Sequence, residues 1–141
     1  MPPKIQKKRK TKKNRRLEVN AEATKILRTV RNEEAFYFYE AIGKPTGESA
    51  RSLSDFLEKI KSVKLESLVF HLQRKDFQTW IQKIFGDSKL ARKMDKIHPS
   101  HDENLRTRIY ATVENRIKEL RDASLTLLIS DVAVVSSKPM P

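Results

Sequence analysis

The sequence predicts a mainly α-helical protein: a compact bundle of five or six short helices, with room for one or two short strands and a disordered basic N-terminal tail. Three observations support this prediction. Apolar residues recur at spacings of three and four along much of the predicted domain, residues 17–135. Capping residues precede several of these stretches, and glycine or proline follows several of them. Residues 1–16 carry nine Lys or Arg residues and no acidic residue.

Residues 1–16 form the predicted tail. Ile5 is its one large apolar side chain beyond Met1, so the segment cannot bury enough surface to offset the entropy of ordering. We expect it to bind the phosphates of DNA or RNA. The predicted binding residues are Lys7, Lys8, Arg9, Lys10, Lys12, Lys13, Arg15 and Arg16. An acidic protein, an anionic membrane surface or a purely solubilising role are the alternatives. The tail has no aromatic residue to stack on a base, so the expected binding is independent of sequence.

The net charge of +12 is concentrated in this tail. The 30 basic residues less the nine of the tail leave 21 against 18 acidic residues, so residues 17–141 have a net charge of +3. The body is therefore nearly neutral. The tail can explain affinity for a polyanion, but specificity must come from the body.

The first helix is predicted to follow Asn20, which can cap a segment with apolar residues at helical spacing. Both a strand and a helix fit residues 35–42. The aromatic run of residues 36–39 favours a strand, whereas the acidic residues before it and Gly43 after it favour a helix. We favour the helix. Residues 43–52 are predicted to form a loop.

Capping residues locate the middle helices. Ser52 and Asp55 form a capping-box pattern before one helix, Asp76 can cap the next with Gly86 closing it, and Asp87 begins another. The predicted core residues are Phe36, Phe38, Phe56, Leu57, Phe70, Phe77, Trp80, Ile81 and Ile84. Each contributes about 1.5–3 kcal/mol on burial, before entropy is subtracted.

The longest predicted helix begins at Asp102 or Asn104. Its other face is basic, with Arg106, Arg108, Arg116, Lys118 and Arg121, and the helical body with this face is expected to add shape or to recruit a partner. Residues 125–135 can extend this helix or form a short strand, and residues 136–141 are a predicted frayed end.

Two sites in the body can be predicted to bind a ligand. The first is a corner formed by His71, Arg74, Asp76 and Trp80. An arginine beside an exposed aromatic ring suits an anionic or planar ligand, and a salt-bridged helix corner is the alternative interpretation. The second is the loop at residues 43–52, since it leads into a helix N-terminus and such termini attract phosphate.

Several classes of function are not supported by the sequence. The chain has no cysteine, which excludes disulfides and thiolate chemistry and fits a cytoplasmic location. His98 and His101 lack a third metal ligand, and no nucleophile stands beside a base at useful spacing. We therefore predict a non-enzymatic protein with no cofactor and no metal. No apolar run reaches the roughly 18 residues of a membrane helix, so no membrane insertion is expected.

Both polar and aromatic residues of this sequence match the motif pattern of a known domain family. They are Phe36-Tyr37-Phe38-Tyr39, Thr46-Gly47, Ser49-Ala50-Arg51-Ser52-Leu53, Phe56, Ser67-Leu68, Phe70-His71-Leu72, Arg74, Asp76-Phe77, Trp80-Ile81, Gly86-Asp87 and Leu90-Ala91. On these residues, residues 36–97 resemble an uncharacterised small-domain family of archaea and bacteria, a domain of unknown function. The resemblance does not cover the tail or the C-terminal segment.

The resemblance implies an accessory module, sometimes associated with carbohydrate-active enzymes, with no assigned chemistry. An accessory domain of carbohydrate or nucleotide-sugar metabolism is therefore the alternative to nucleic-acid binding. The basic tail favours a nucleic-acid-linked, stand-alone archaeal protein instead. Where the family pattern often reads Arg-Gly-Asp, this sequence has Arg74-Lys75-Asp76. Loss of that glycine argues against a tight turn at this position.

Overall fold

The computed structural model describes residues 21–136, with side chains described through residue 123. The predicted tail at residues 1–16, and residues 137–141 of the predicted frayed end, lie outside this range. Within it, the fold is mainly α, as predicted. The elements are α1 at residues 21–27, a 3₁₀ turn Asn32–Glu34, β1 Phe36–Ala41, β2 Lys44–Ala50, α2 Leu53–Ser62, α3 Leu65–Gln73, α4 Asp76–Trp80, a π-helical turn Ile81–Phe85, α5 Ser88–Asp95 and α6 Glu103–Ser136.

The helix favoured for residues 35–42 is wrong, because β1 and β2 form an antiparallel hairpin. Phe36 and Phe38 are 6% and 1% exposed, whereas Tyr37 between them is 51% exposed. This alternation has the two-residue period of a strand. Gly43 has a φ of 72°, so its freedom serves the hairpin turn and does not end a helix.

The capping box predicted before α2 is confirmed at its serine. The Ser52 hydroxyl accepts a hydrogen bond from the backbone N–H of Asp55 at 3.0 Å. The Asp55 carboxylate in turn accepts one from the backbone N–H of Arg51 at 3.1 Å. Such bonds satisfy donors that a helix N-terminus leaves free. α2 buries Leu53 and Phe56, and it packs against β2 and α6.

A tight turn separates α3 from α4. Lys75 in this turn has φ 63° and ψ 25°, in the left-handed region. The expectation that the sequence Arg74-Lys75-Asp76 would lose the turn is therefore wrong, although the left-handed backbone costs a lysine about 1–2 kcal/mol. Because the turn ends α3, His71 and Asp76 approach each other from two different helices.

The core lies between the hairpin, α2 to α5 and the first half of α6. Its aromatic rings meet edge to face: the ring centroids of Phe36 and Phe38 are 4.9 Å apart, and those of Phe56 and Phe77 are 5.1 Å apart. Six of the nine predicted core residues are buried, and three are half-buried, namely Leu57, Phe70 and Ile84.

α6 continues through residues 125–135, which confirms the extended helix over the short strand for this segment. Its first half buries one apolar side chain about every turn, from Leu105 to Leu120. No helix in the part of the chain that the structure describes is both long enough and apolar enough to span a bilayer.

Candidate functional site

An open hollow of about 430 Å³ lies between the hairpin and α3. Its lining is mainly aromatic and apolar. The lining residues are Phe36, Tyr37, Tyr39, Ile42, Gly43, Phe70, His71, Arg74 and Asp76. Tyr37 and Ile42 are 51% and 83% exposed, the largest apolar side chains left in water in the described body. A concave apolar surface with a few polar groups is the usual form of a ligand site.

His71 links the elements that surround this hollow. Its Nε2 atom accepts a hydrogen bond from the backbone N–H of Tyr39 at 2.7 Å, and its Nδ1 atom lies 2.8 Å from Oδ2 of Asp76. Because Nε2 accepts, the proton of the neutral ring lies on Nδ1, which donates to Asp76. Burial lowers the pKa of His71, against the raising effect of Asp76. Both ring nitrogens are therefore engaged within the fold.

Arg74 supplies the positive charge at the rim of the hollow. Its guanidinium carbon lies 5.0 Å from the ring centroid of Phe70, and its Nε atom lies 3.2 Å from Oδ2 of Asp76. The Arg74 side chain is 51% exposed, so part of the guanidinium still faces solvent. A cation held over an aromatic ring beside an open hollow suits a planar or anionic ligand.

Trp80 does not line this hollow, although the sequence places it in the candidate corner with His71 and Arg74. It is 7% exposed, and its indole N–H donates to the carbonyl oxygen of Glu34 at 2.8 Å. Its ring lies 4.9 Å from that of Phe85, centroid to centroid. The structure thus brings together His71, Arg74 and Asp76 and assigns Trp80 to the core. The aromatic partner of Arg74 is Phe70.

Residues 43–52, predicted as a loop, form β2 and the residues that flank it. The Thr46 hydroxyl donates to a backbone carbonyl of β1 at 2.9 Å, and the Arg51 side chain donates to a carbonyl after α1 at 2.8 Å. The Nζ atom of Lys44 lies 3.8 Å from an acidic side chain of β1. A phosphate at the N-terminus of α2 would also meet the carboxylate of Asp55. Thr46 and Arg51 therefore bond within the fold, and a carboxylate stands beside the helix N-terminus that was expected to attract phosphate.

The basic face predicted on α6 is also engaged within the fold. Arg116 is 5% exposed, with its Nε atom 2.9 Å from Oδ2 of Asp87. Arg106 donates to two backbone carbonyls near the end of α2, both at 2.6 Å, and Arg121 donates to a serine hydroxyl of α2 at 3.2 Å. These three arginines therefore join α6 to the body, and that part of the basic face is used within the fold.

The structure places a basic surface on α5, the π-helical turn before it and the turn before α4, which the sequence prediction did not identify. We call it the α5 basic surface, and all six of its side chains are exposed: Lys75, Lys83, Lys89, Arg92, Lys93 and Lys96. Local sequence could have indicated this surface. Four of its cations, on α5 and directly after it, follow at helical spacing on the side opposite the buried Leu90 and Met94.

The predicted nucleic-acid-binding residues from Lys7 to Arg16 lie outside the described residues. The structure does place the described part of α1, residues 21–27. Glu22 of α1 lies 3.8 Å from the guanidinium of Arg116, and it lines a surface cavity together with Lys89 and Arg92.

His98 and His101 are both exposed, in the segment between α5 and α6. Among the residues that the structure describes, no group of three or more His, Cys, Asp or Glu side chains is placed to hold a metal ion.

The model of a family of unknown function (DUF5752) matches residues 8–114, and the chain belongs to this family. The match is wider than residues 36–97, on which the resemblance was based. It includes the tail from Lys8 onward, which the resemblance did not cover. No curated protein and no solved structure matches the chain. The family description assigns no activity, and a function has to be argued from the residues themselves.

Proposed function

We propose that this member of the family of unknown function is a non-enzymatic protein that binds nucleic acid electrostatically through its N-terminal segment. One observation carries the proposal: residues 1–16 hold nine basic residues and no acidic residue, whereas residues 17–141 have a net charge of +3. Concentrated Lys and Arg side chains neutralise phosphates and release condensed counterions. Because the segment has no aromatic residue, the proposed binding does not depend on base sequence.

The described body supports binding over catalysis. The one buried histidine, His71, uses both ring nitrogens in hydrogen bonds to Tyr39 and Asp76. The lowered pKa of His71 has a structural cause, its burial between the hairpin and α3, and needs no catalytic explanation. The absence of cysteine fits a cytoplasmic protein.

The proposal predicts that affinity for nucleic acid depends strongly on salt concentration and that the basic residues of the tail cause this dependence. We expect a full-length variant with all nine tail Lys and Arg residues replaced by glutamine to lose most of its affinity. If about six of these residues contact phosphates, the slope of log affinity against log salt becomes shallower by about 5. Fluorescence anisotropy with short mixed-sequence DNA and RNA, from about 50 to 200 mM salt, measures both quantities.

A second variant with the same sixteen residues in shuffled order is the matched control. It keeps the charge and the length, so we expect it to bind as the native chain does. A glutamine variant with unchanged affinity and slope would refute the proposal. Loss of affinity in the shuffled variant would instead show that the tail acts through a specific arrangement of residues.

A second candidate function follows from the hollow beside α3: binding of a sugar phosphate or a nucleotide sugar. The observation that favours it is the placement of Arg74 over Phe70, with the half-exposed ring of Tyr37 lining the same hollow. Aromatic faces can stack on a sugar or a base, while the guanidinium binds phosphate.

For this candidate, we expect a sugar phosphate or a nucleotide sugar to raise the thermal unfolding temperature of the native chain. A ligand at about 100 times its Kd would add about 2.7 kcal/mol of stability. Arg74→Ala should abolish the shift, and Arg108→Ala, at an exposed position on α6, should keep it. A panel of such ligands that shifts neither the native chain nor the Arg108 variant would reject this candidate.

A further inference from the structure

We propose that the α5 basic surface is a second phosphate-binding surface for nucleic acid, on the body itself, and that it continues the contact made by the tail. This inference rests on the proposed function. It specifies which surface of the folded body the nucleic-acid strand contacts.

The first support is the geometry of α5. Lys89, Arg92 and Lys93 project from the solvent side of this helix, and Lys96 follows at its end, so the four cations lie at spacings of three and four. At about 1.5 Å per residue, they extend about 10 Å along one helix face. One strand of a duplex presents a phosphate about every 3.4 Å of its axis, so this length matches about three phosphates.

The second support is the local charge. The six cations of the α5 basic surface are accompanied by three acidic residues, Asp95, Glu119 and Glu22, which gives a local net charge of +3. Residues 17–141 as a whole have a net charge of +3, with 21 basic and 18 acidic residues. The remainder therefore has 15 basic and 15 acidic residues and no net charge. The excess positive charge of the body lies on this one surface.

The third support is that three cations of this surface have no acidic partner among the residues whose side chains the structure describes. Salt bridges join Lys75 to Asp95 and both Lys89 and Lys93 to Glu119. Within the described residues, no carboxylate lies within 4.0 Å of the charged groups of the other three cations, which are Lys83, Arg92 and Lys96. Phosphate contact at these positions breaks no ion pair between described residues.

The fourth support is the path of the chain. Glu22, in the first helix, lines the same surface cavity as Lys89 and Arg92. Arg16 precedes Glu22 by six residues, which reach at most about 20 Å when extended. The tail therefore joins the body next to the α5 basic surface, and one strand of nucleic acid can reach both.

A structural role is the competing explanation, because cations in the last turn of a helix stabilise it through the helix dipole. Arg92, Lys93 and Lys96 stand in or directly after the last turn of α5. Such a role would affect stability alone and would leave nucleic-acid binding unchanged.

The test replaces these three cations by glutamine, as Lys83→Gln, Arg92→Gln and Lys96→Gln together in the full chain. The matched control carries Lys44→Gln, Lys61→Gln and Lys64→Gln, which removes the same charge from the hairpin and the C-terminal end of α2. We expect the first variant to lose about tenfold or more in affinity for a short DNA duplex. Its salt slope should become shallower by about 2–3, and the control should stay close to the native chain.

Equal losses in the two triple variants would overturn the inference, because they would show an effect of net charge alone. Unchanged binding in the first variant would overturn it as well. Loss of binding to polyglutamate with binding to DNA retained would assign the surface to an acidic protein and would also refute it. The glutamine variant of the tail, measured in the same series, reports on the proposed function separately.

Chemical acetylation of the native chain gives a second measurement that needs no variant. Bound DNA should protect Lys83 and Lys96 from acetylation and leave Lys61 accessible, as read by mass spectrometry. Equal reactivity of these lysines with and without DNA would contradict the inference.

Discussion

Replacing Asp87 with alanine is expected to lower the free energy of unfolding by about 3–5 kcal/mol. The Asp87 side chain is 1% exposed and that of Arg116 is 6% exposed, and Oδ2 of Asp87 lies 2.9 Å from Nε of Arg116. Alanine removes the buried carboxylate and leaves the guanidinium in the same low-dielectric surroundings. Glu119 and Glu22 also approach Arg116, at 3.1 and 3.8 Å, but their exposed carboxylates compensate only in part.

Asp87 has a second role that the same substitution removes. Its Oδ1 atom accepts a hydrogen bond from the backbone N–H of Leu90 at 3.1 Å and so caps α5. Loss of such a cap costs about 1 kcal/mol. One carboxylate thus caps α5 and pairs with α6, and the loss of both contacts explains why the expected effect is large.

Two further variants separate the ion pair from the cap. Asp87→Asn keeps an oxygen that can cap α5 but leaves the Arg116 charge without its partner. The double variant Asp87→Asn with Arg116→Met removes both charges and should recover most of the lost stability, since apolar replacement of both partners is often neutral. Urea unfolding followed by circular dichroism measures all three variants.

The exposed pair of Lys118 and Glu114, also on α6, provides the control. Its side chains are 67% and 35% exposed, and Nζ of Lys118 lies 3.7 Å from Oε1 of Glu114. Glu114→Ala should therefore leave the urea midpoint unchanged within measurement error. If Asp87→Ala shifted the midpoint no more than Glu114→Ala, the buried pair would not stabilise the fold as its geometry indicates.

The two roles of Asp87 show which structural features can be predicted from this sequence. The cap is a contact over three residues, and local sequence locates it, as it locates Ser52 before α2. The partner of the carboxylate is 29 residues away on another helix. Helical spacing alone predicts that Arg116 lies on an exposed basic face. Its side chain is buried because α5 packs against α6.

The hairpin could not be predicted for a related reason. The residues of β1 carry both strand and helix signals, and the choice depends on packing. Phe36 and Phe38 enter a cluster with Phe56 and Phe77, contributed by α2 and α4. Tertiary contacts of this kind override local propensity. The hollow is formed in part by the hairpin. His71, Arg74 and Asp76 could therefore be predicted as site residues, but the aromatic residues that line the hollow in place of Trp80 could not.

The part of the α5 basic surface from Lys89 to Lys96 is the opposite case, because local spacing places these four cations. Leu90 and Met94 define the buried side of α5, and any helix so oriented exposes Lys89 and Arg92 on the other side. Exposed basic residues on a short helix are common, and the local excess of charge becomes visible only when the ion pairs on α6 are known.

Replacing His71 with alanine is expected to lower the free energy of unfolding by about 2–4 kcal/mol at neutral pH. The imidazole is 3% exposed and packs against the rings of Phe36 and Phe70, with centroids 4.7 and 5.0 Å away. Its loss leaves a cavity and removes the acceptor for the backbone N–H of Tyr39. His71 also lines the hollow beside α3. Any increase in stability caused by a ligand in this hollow should therefore be absent in His71→Ala.

The same histidine should make stability depend on pH. Burial lowers the pKa of His71 in the folded protein from its ordinary value of 6.5. The unfolded chain therefore binds more protons once the pH falls below about 6.5, and stability is lost as the pH decreases further. The loss should reach at most about 1.4 kcal/mol per pH unit and should level off below the folded-state pKa. Protonation also converts Nε2 into a donor that faces the N–H of Tyr39, which breaks that hydrogen bond.

The measurement is urea unfolding at a series of pH values from about 7.5 to 5, above the range in which carboxylates titrate. His71→Gln keeps an oxygen that can accept from Tyr39 but cannot titrate, so its stability should vary little across this range. His98→Gln, at an exposed position, should retain the native pH dependence. If the native chain were equally stable across this range, or if His98→Gln abolished the dependence, the neutral buried imidazole would not be the origin of the effect. A flat profile for His71→Gln alone would establish that the link between α3 and the hairpin depends on an uncharged ring.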